Sequence, residues 1–197
     1  MNAFSDSGLT RESLLSRARA CDSAAWHELV DLYGPLVAHW CRRCRLDDEQ
    51  VADCVQEVFA SVTTSLASYR PLHSSGAFRG WLWTITKNKI RDLIRKHKTF
   101  PHAAGGSTAL RGFHHLVEIP DDEPTDEVQI SSLVRRATEQ VKAEFEPRTW
   151  DIFRRVVFDQ IATAVVAEEF GISAAGVRQI RSRVLRRLRQ QLGDIEL

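Results

Sequence analysis

The chain has 197 residues, a hydrophobic fraction of 43% and a formal net charge of +1, which suits one mid-sized domain or two small ones and excludes wholesale disorder. No apolar run approaches the ~20 residues that a membrane-spanning helix needs, and no signal-peptide pattern opens the chain. Four cysteines do not make an extracellular disulfide framework. These features predict a cytoplasmic protein without membrane insertion.

The charged residues are segregated along the chain. Residues 79–98 hold seven Lys or Arg and one acid, and residues 178–189 hold six Arg and no acid. Residues 47–57 hold five acids and residues 118–127 hold six, with no base in either stretch. Such blocks favour distinct partners for distinct faces. Solvated helix surface with chance clustering is the alternative for either basic block alone.

Helical patterns follow one another through the first hundred residues. Asp22 is suited to cap a helix, which Gly34-Pro35 is expected to interrupt or kink. A second helix is expected to open at Asp47-Asp48-Glu49, because acids favour that end. A loop at 69–76 precedes a third helix, from about residue 77 to residue 98. The buried stripe of the second helix is expected to comprise Val51, Val55, Val58, Val62 and Leu66.

Between residues 99 and 125 the regular patterns stop, since Gly and Pro recur and the second half is acidic. This stretch is expected to be a flexible linker. From 126 onward the chain is helical again, with helices expected at about 126–146, 147–158, 161–170 and 173–192. No stretch shows sustained period-two alternation. The sequence therefore predicts an all-α protein of two small helical domains, 1–98 and 126–197.

The segment from Thr163 to Arg183 fits a helix-turn-helix. Gly171 is suited to the left-handed conformation that ends its first helix, Ser173 to the cap of its second, and the small Ala167 to their close approach. The outer face of the second helix is expected to carry Arg178, Gln179, Ser182, Arg183 and Arg186. Guanidinium groups and an amide are what a recognition helix uses on base edges and phosphates. DNA binding is therefore favoured over a helical hairpin with a solvated arginine face.

The third helix combines basic and aromatic residues. Lys87, Arg91, Arg95 and Lys98 are expected on one stripe, with Asn88 beside it. Of the two upstream tryptophans, Trp81 is expected in the core and Trp83 is the better candidate for exposure. Together with the loop at 74–76, these residues are suited to hold a nucleic-acid strand and receive unstacked bases.

The second helix has the opposite character. Asp53, Gln56 and Glu57 share one face, opposite the valine stripe. Such a face repels DNA, so a basic protein surface is its expected partner. An ordinary solvated face is the alternative.

Three segments resemble bacterial sigma factors of group IV, the extracytoplasmic-function (ECF) family. The stretch Asp53–Phe59 resembles the segment that holds the RNA polymerase core. The stretch Gly76–Asn88, followed by Asp92 and Arg95, resembles the promoter-melting and −10-reading segment. The helix-turn-helix resembles the −35-reading domain. The resemblance covers about residues 10–98 and 126–192, with the linker between them.

The resemblance implies that the chain binds core RNA polymerase and directs promoter recognition and DNA melting for transcription initiation. Asp53, Gln56 and Glu57 would contact the polymerase β′ coiled coil. The −10 DNA would be contacted by Trp83, Lys87, Asn88, Arg91, Arg95 and Lys98, with the loop before Phe78 taking up a flipped base. The −35 major groove would be contacted by Arg178, Gln179, Ser182, Arg183 and Arg186. The linker would thread toward the polymerase active-site channel, and an anti-sigma factor is a further partner that the resemblance suggests.

Two departures from the family pattern concern the second domain. Gly176 stands early in the recognition helix, where the family often has Thr or another side chain that contacts the DNA backbone. The chain between Trp150 and Ala162 lacks the glutamate-rich sequence usual before the motif. This second departure bears on docking to the polymerase β flap, the other expected core contact.

Two alternatives remain open from the residues alone. A free-standing helix-turn-helix regulator with a helical sensing or dimerisation domain explains the arginine helix, but not the acidic second helix paired with the basic third. A metal or redox sensor would use His39, Cys41 and Cys44. Cys41 and Cys44 form the one CxxC pair available, with His39 nearby. We expect no metal, no cofactor and no enzymatic activity, since the sequence has no phosphate loop or nucleophile motif.

Overall fold

Eight helices make up the regular structure of the part of the chain that the computed structural model describes: residues 13–70, 77–99 (side chains through 96) and 119–192. They are α1 (Leu14–Arg19), α2 (Ser23–Arg43), α3 (Asp48–Ser65), α4 (Ala77–Thr99), α5 (Glu127–Lys142), α6 (Pro147–Val157), α7 (Thr163–Phe170) and α8 (Ala174–Leu192). The described residues contain no strand, so the expected all-α class is confirmed. None of the described helices is long and apolar enough to cross a membrane.

Side-chain caps fix where several helices begin. The Asp22 carboxylate accepts the N–H of Ala24 at 2.9 Å, as the sequence predicts. Asp47 and Gln50 form a reciprocal capping box at the start of α3. Asp126 accepts the N–H of Gln129 at 3.0 Å and opens α5. These helix starts follow from residues close in sequence, which is why they could be predicted.

The expected interruption of α2 at Gly34-Pro35 is wrong, because the helix runs unbroken from Ser23 to Arg43. Pro35 lies on the exposed side of the helix, as does Asp31, whose carbonyl loses its usual partner to the proline. Water can therefore satisfy that carbonyl. Gly34 is buried, and a Cβ there would lie 3.9 Å from the ring of Phe59, an ordinary van der Waals contact.

The largest hydrophobic core joins helices from both ends of the chain. It is built mainly from α1 to α4, with Trp40, Val58 and Leu82 fully buried. Leu133 of α5 and Leu192 at the end of α8 belong to the same core. The predicted division at residues 98 and 126 stays a prediction, and α5 packs directly against α2.

Two smaller cores lie within the last four helices. One contains Val141, Trp150, Phe153, Val184 and Leu188. The other contains Ile152, Val166, Ala167 and Val177, and it holds α7 against α8. These two cores position the helix-turn-helix.

Candidate nucleic-acid interface

The acidic face of α3 is exposed. Asp53, Gln56 and Glu57 are all exposed, while Cys54 and Val58 on the other side of the helix are buried. The Glu57 carboxylate lies 3.2 Å from the ammonium of Lys89 on α4. This pair is partly exposed and contributes about 0–1 kcal/mol. The face is therefore accessible, although one of its carboxylates is paired with a lysine of α4.

The basic face of α4 is partly exposed. Asn88, Arg91 and Arg95 are exposed, and Arg95 lies 2.9 Å from the carboxylate of Asp92. Lys87 is less accessible, with 17% of its side chain exposed. The side chain of Lys98 and the loop before Ala77 lie outside the described residues.

The expectation that Trp83 is exposed is wrong. Only 2% of this residue is accessible, and its ring lies edge-on to Trp40 with 5.6 Å between centroids. Its indole N–H donates to the carbonyl of Asp121 at 3.4 Å. Thr86 and Ile90, at helical spacing from Trp83, are also fully buried. These three residues form a buried stripe along α4. Their helical spacing is visible in the sequence and indicates that a second side of α4 packs against other parts of the chain. Trp81, expected in the core, is partly buried against it.

A short acidic segment crosses this second side of α4. Lys87 donates to the backbone carbonyl of Asp121 at 3.0 Å, and its ammonium lies 3.7 Å from the Asp121 carboxylate. Arg79 lies 3.5 Å from the carboxylate of Glu123. Local sequence patterns did not predict these contacts, because the partners are more than thirty residues apart.

The helix-turn-helix has the expected geometry. Gly171 ends α7 with φ +63°, and the N–H of Ile172 donates to the carbonyl of Ala167 at 2.9 Å. The Ser173 hydroxyl accepts the N–H of Gly176 at 3.0 Å and caps α8. Val177 is buried between the two helices. These steric and capping predictions are confirmed.

The outer face of α8 is exposed along its length. The exposed residues on it are Arg178, Gln179, Ser182, Arg183 and Arg186. Val184 and Leu188 are buried on the opposite side. The Arg183 guanidinium also lies 5.5 Å from the ring centre of Phe145, a distance suited to a cation–π contact. The face offers several guanidinium groups and one amide, which are donor types that proteins use in the major groove.

Three of the four cysteines are buried core residues. Cys41, Cys44 and Cys54 are buried, and burial raises the pKa of the Cys44 thiol to about 11. A thiol with so high a pKa is protonated at neutral pH. Among the residues that the structure describes, no group of three or more His, Cys, Asp or Glu side chains is arranged to hold a metal ion.

Comparison with known proteins agrees with this architecture. Residues 29–100 match the family Sigma-70 region 2. The chain is 28% identical over 176 residues to the RNA polymerase sigma factor NccH of Alcaligenes xylosoxydans xylosoxydans, covering 89% of each chain. It is 24% identical over 185 residues to the ECF RNA polymerase sigma factor SigW of Bacillus subtilis, covering 92% of this chain and 96% of SigW.

A third relative matches over a shorter stretch at higher identity. The ECF RNA polymerase sigma factor SigE of Mycolicibacterium smegmatis is 33% identical over 72 residues, which are 36% of this chain and 26% of SigE. Residues 29–100 are thus similar to Sigma-70 region 2, and most of the chain is similar to RNA polymerase sigma factors, among them one of the extracytoplasmic-function class.

Proposed function

We propose that the chain is a sigma factor that binds core RNA polymerase in the cytoplasm and directs it to promoters for transcription initiation. The observation that carries this proposal is the set of three exposed faces of contrasting chemistry on one chain: acidic on α3, basic on α4 and arginine-rich on α8. A regulator that binds DNA alone needs the third of these faces but not the first. The names of the relatives support the same class of protein.

The acidic face of α3 is the proposed contact with core polymerase. Its residues Asp53, Gln56 and Glu57 are exposed and stand on a helix whose start is fixed by the Asp47–Gln50 capping box. A rigid helix presents these groups without further ordering cost. We assign the basic β′ coiled coil as their partner, following the family resemblance.

The exposed part of α4 is the proposed −10 contact. Asn88, Arg91 and Arg95 are accessible to a DNA strand, and their charge suits its phosphates. Lys87 is the fourth member of this set, with Lys98 expected one turn beyond Arg95. Trp83 cannot stack on a base while it is buried against Trp40 and Asp121.

The α8 face is the proposed −35 contact. Arg178 and Gln179 stand near the N-terminal end of the helix, where recognition helices meet base edges. Ser182, Arg183 and Arg186 follow on the same exposed face. Gly176 has no side chain to contact the DNA backbone, and its N–H is bonded to Ser173.

The core contact is tested by charge reversal with a matched control. Glu57 and Glu139 are both exposed, with 60% and 65% of their side chains accessible, and both lie near a lysine. We expect Glu57→Lys to weaken binding to purified core polymerase by about tenfold or more, in the range of a buried interfacial charge, while Glu139→Lys binds as the wild type does. Equal binding by both variants would overturn the assignment of the α3 face.

The whole function is tested by transcription with purified core polymerase on a genomic library. We expect start sites that share −35 and −10 motifs, and we expect Arg178→Ala to weaken the −35 motif. Absence of core binding together with sequence-specific duplex binding would instead support a free-standing regulator.

A further inference from the structure

Residues 119–125, here called the acidic strap, lie across α4. The strap carries Asp121, Asp122 and Glu123. Its backbone carbonyl at Asp121 accepts hydrogen bonds from both the Trp83 indole and the Lys87 ammonium. Glu123 pairs with Arg79 at 3.5 Å, and 16% and 17% of the two side chains are exposed. The strap therefore engages two cations and one aromatic ring of α4.

These are groups that a DNA strand would also use. Lys87 belongs to the proposed −10 contact, and Arg79 stands two turns before it on the same helix. The strap carboxylates and the Asp121 carbonyl bind the side-chain cations of Lys87 and Arg79. DNA phosphates would otherwise neutralise these two cations. The strap also accepts the indole N–H of Trp83, and this bond together with the packing on Trp40 keeps the ring from base stacking. Asn88, Arg91 and Arg95 stay exposed beyond the strap, so the occlusion affects the N-terminal part of the surface.

The strap is held in place by the helix that follows it. The Trp40 indole donates to the Thr125 hydroxyl at 3.0 Å, and α5 then begins at Glu127. Arg136 and Gln140 of α5 donate to the backbone carbonyls of Leu32 and Glu28 on α2, each at 3.1 Å. The anchor of the strap is thus part of the packing between α2 and α5.

The Lys87–Asp121 ion pair is weak enough to be exchanged, and the less exposed Arg79–Glu123 pair is a long contact of 3.5 Å in which Arg79 Nε makes no hydrogen bond to any described residue. The Asp121 carboxylate is 95% exposed, and ion pairs with an exposed partner contribute little to stability. Competing phosphates or polymerase surfaces can therefore displace the strap without unfolding the helices beneath it.

We propose that the acidic strap is an autoinhibitory contact, which occupies the N-terminal part of the −10 surface in the free chain and leaves it when core polymerase binds. This inference rests on the proposed function and adds a regulated state to the same site. Release of the strap frees Lys87, Arg79 and the indole N–H of Trp83. Binding of a DNA strand and seating of the strap are then mutually exclusive.

Carbodiimide crosslinking of the full-length wild-type protein tests the contact itself. The reagent activates the Asp121 carboxylate, and the Lys87 amine displaces the resulting urea to form an amide. We expect mass spectrometry to find the Lys87–Asp121 crosslink in the free protein and to find it depleted after core polymerase is added. Asp121→Asn should abolish the crosslink. Asp122→Asn removes one negative charge from the neighbouring residue, and the Lys87–Asp121 crosslink should still form. Absence of the crosslink in the free wild-type protein overturns the proposal.

Binding of a short fluorescein-labelled single-stranded DNA pool of randomised sequence tests the inhibition. The release variant is Glu123→Gln with Thr125→Val, which removes the Arg79 pair and the Trp40 hydrogen bond while keeping side-chain size. We expect it to bind the DNA more tightly than the wild type by a factor within the usual allosteric range, about 5- to 150-fold. Asp122→Asn, which removes one charge from the same strap without a described contact, serves as the control. A release variant that binds no better than this control overturns the inhibition.

The two proposals fail in different ways. If core polymerase does not bind the wild type, the proposed function fails, although the Lys87–Asp121 crosslink still forms. If core binds but leaves the crosslink undiminished, the sigma-factor assignment stands and the autoinhibitory role of the strap is overturned.

Discussion

Gly171 shows how one backbone angle can be tested apart from packing. Its φ is +63°, and a Cβ built on it would meet nothing within 4 Å, so a side chain there is opposed by backbone conformation alone. We expect Gly171→Ala to lower the free energy of unfolding by about 1–2 kcal/mol, measured by urea denaturation. Gly80, inside α4, also has nothing within 4 Å. Gly80→Ala should therefore raise stability by about 1 kcal/mol, and effects of the same sign at both sites would contradict this account.

The four cysteines differ sharply in accessibility. Cys21 is exposed, whereas Cys41, Cys44 and Cys54 are buried, and burial raises the pKa of Cys44 to about 11. All three buried thiols are at most 1% exposed, so a reagent in solution cannot reach their sulfur atoms in the native protein. We expect a colorimetric thiol reagent at about pH 8 to modify one thiol in the native protein and four after denaturation. Cys21→Ser should abolish the native reaction, and a second fast thiol would contradict the structure.

Residue-level prediction from sequence succeeded where the cause is local. The caps at Asp22 and Ser173 and the turn at Gly171 depend on atoms a few residues apart, so the sequence contains all that determines them. Trp83 was misjudged because its cover comes from Trp40 and Asp121, each some forty residues away. A helical projection shows which residues share a face, but not how many faces of a helix are covered.

Among the helices, the clearest energetic link is the ion pair between Arg187 of α8 and Glu144, just after α5. Arg187 is 5% exposed, and its guanidinium donates twice to the carboxylate, at 2.8 and 2.6 Å. Removing one partner of a buried pair leaves an uncompensated charge. We expect Glu144→Gln to destabilise the protein by about 3 kcal/mol, measured by thermal or urea unfolding.

The matched control is the pair between Arg155 and Glu169, also 2.8 Å long but with 31% and 40% of the two side chains exposed. Glu169→Gln should cost less than about 1 kcal/mol, as exposed pairs do. Replacing both buried partners, as in Arg187→Met with Glu144→Leu, should recover much of the loss because no charge is left unpaired. A double variant as unstable as Glu144→Gln would contradict this explanation.

Element boundaries were predictable to within a few residues, but their assembly was not. The capping box and the acids of Asp47–Glu49 mark the start of α3, and the shift to Gly and Pro after residue 99 marks the end of α4. The packing of α5 on α2 depends instead on Leu133, Arg136 and Gln140 meeting a surface a hundred residues earlier. The sequence of α5 predicts that one of its faces is buried, but it does not indicate which other helix covers that face.

At the scale of the whole molecule, Glu28 of α2 contacts side chains from both an early helix, α1, and the last described helix, α8. Its carboxylate accepts two hydrogen bonds from Arg17, both at 3.1 Å, and one from Gln191 on α8, also at 3.1 Å. Gln191 further donates to Gln140 on α5 at 2.8 Å. One carboxylate therefore joins α1, α2 and α8, and the same network holds α5 in place beside the acidic strap.

This network should make the packing of α1, α2 and α8 sensitive to acid. Burial alone would raise the pKa of Glu28, but hydrogen bonds from Arg17 and Gln191, with the charges of Arg17 and Arg187, outweigh it, so the pKa lies below the ordinary 4.5. A carboxyl whose folded pKa is lowered stabilises the fold above its unfolded pKa, and the contribution disappears as pH falls through the folded pKa. We expect the free energy of unfolding to fall as pH drops below about 4.5. Glu28→Gln should be less stable at neutral pH and converge on the wild type in acid. Arg17→Met, which removes the main donor, should flatten the same pH profile, and an unchanged slope in both variants would show that Glu28 does not link the two ends.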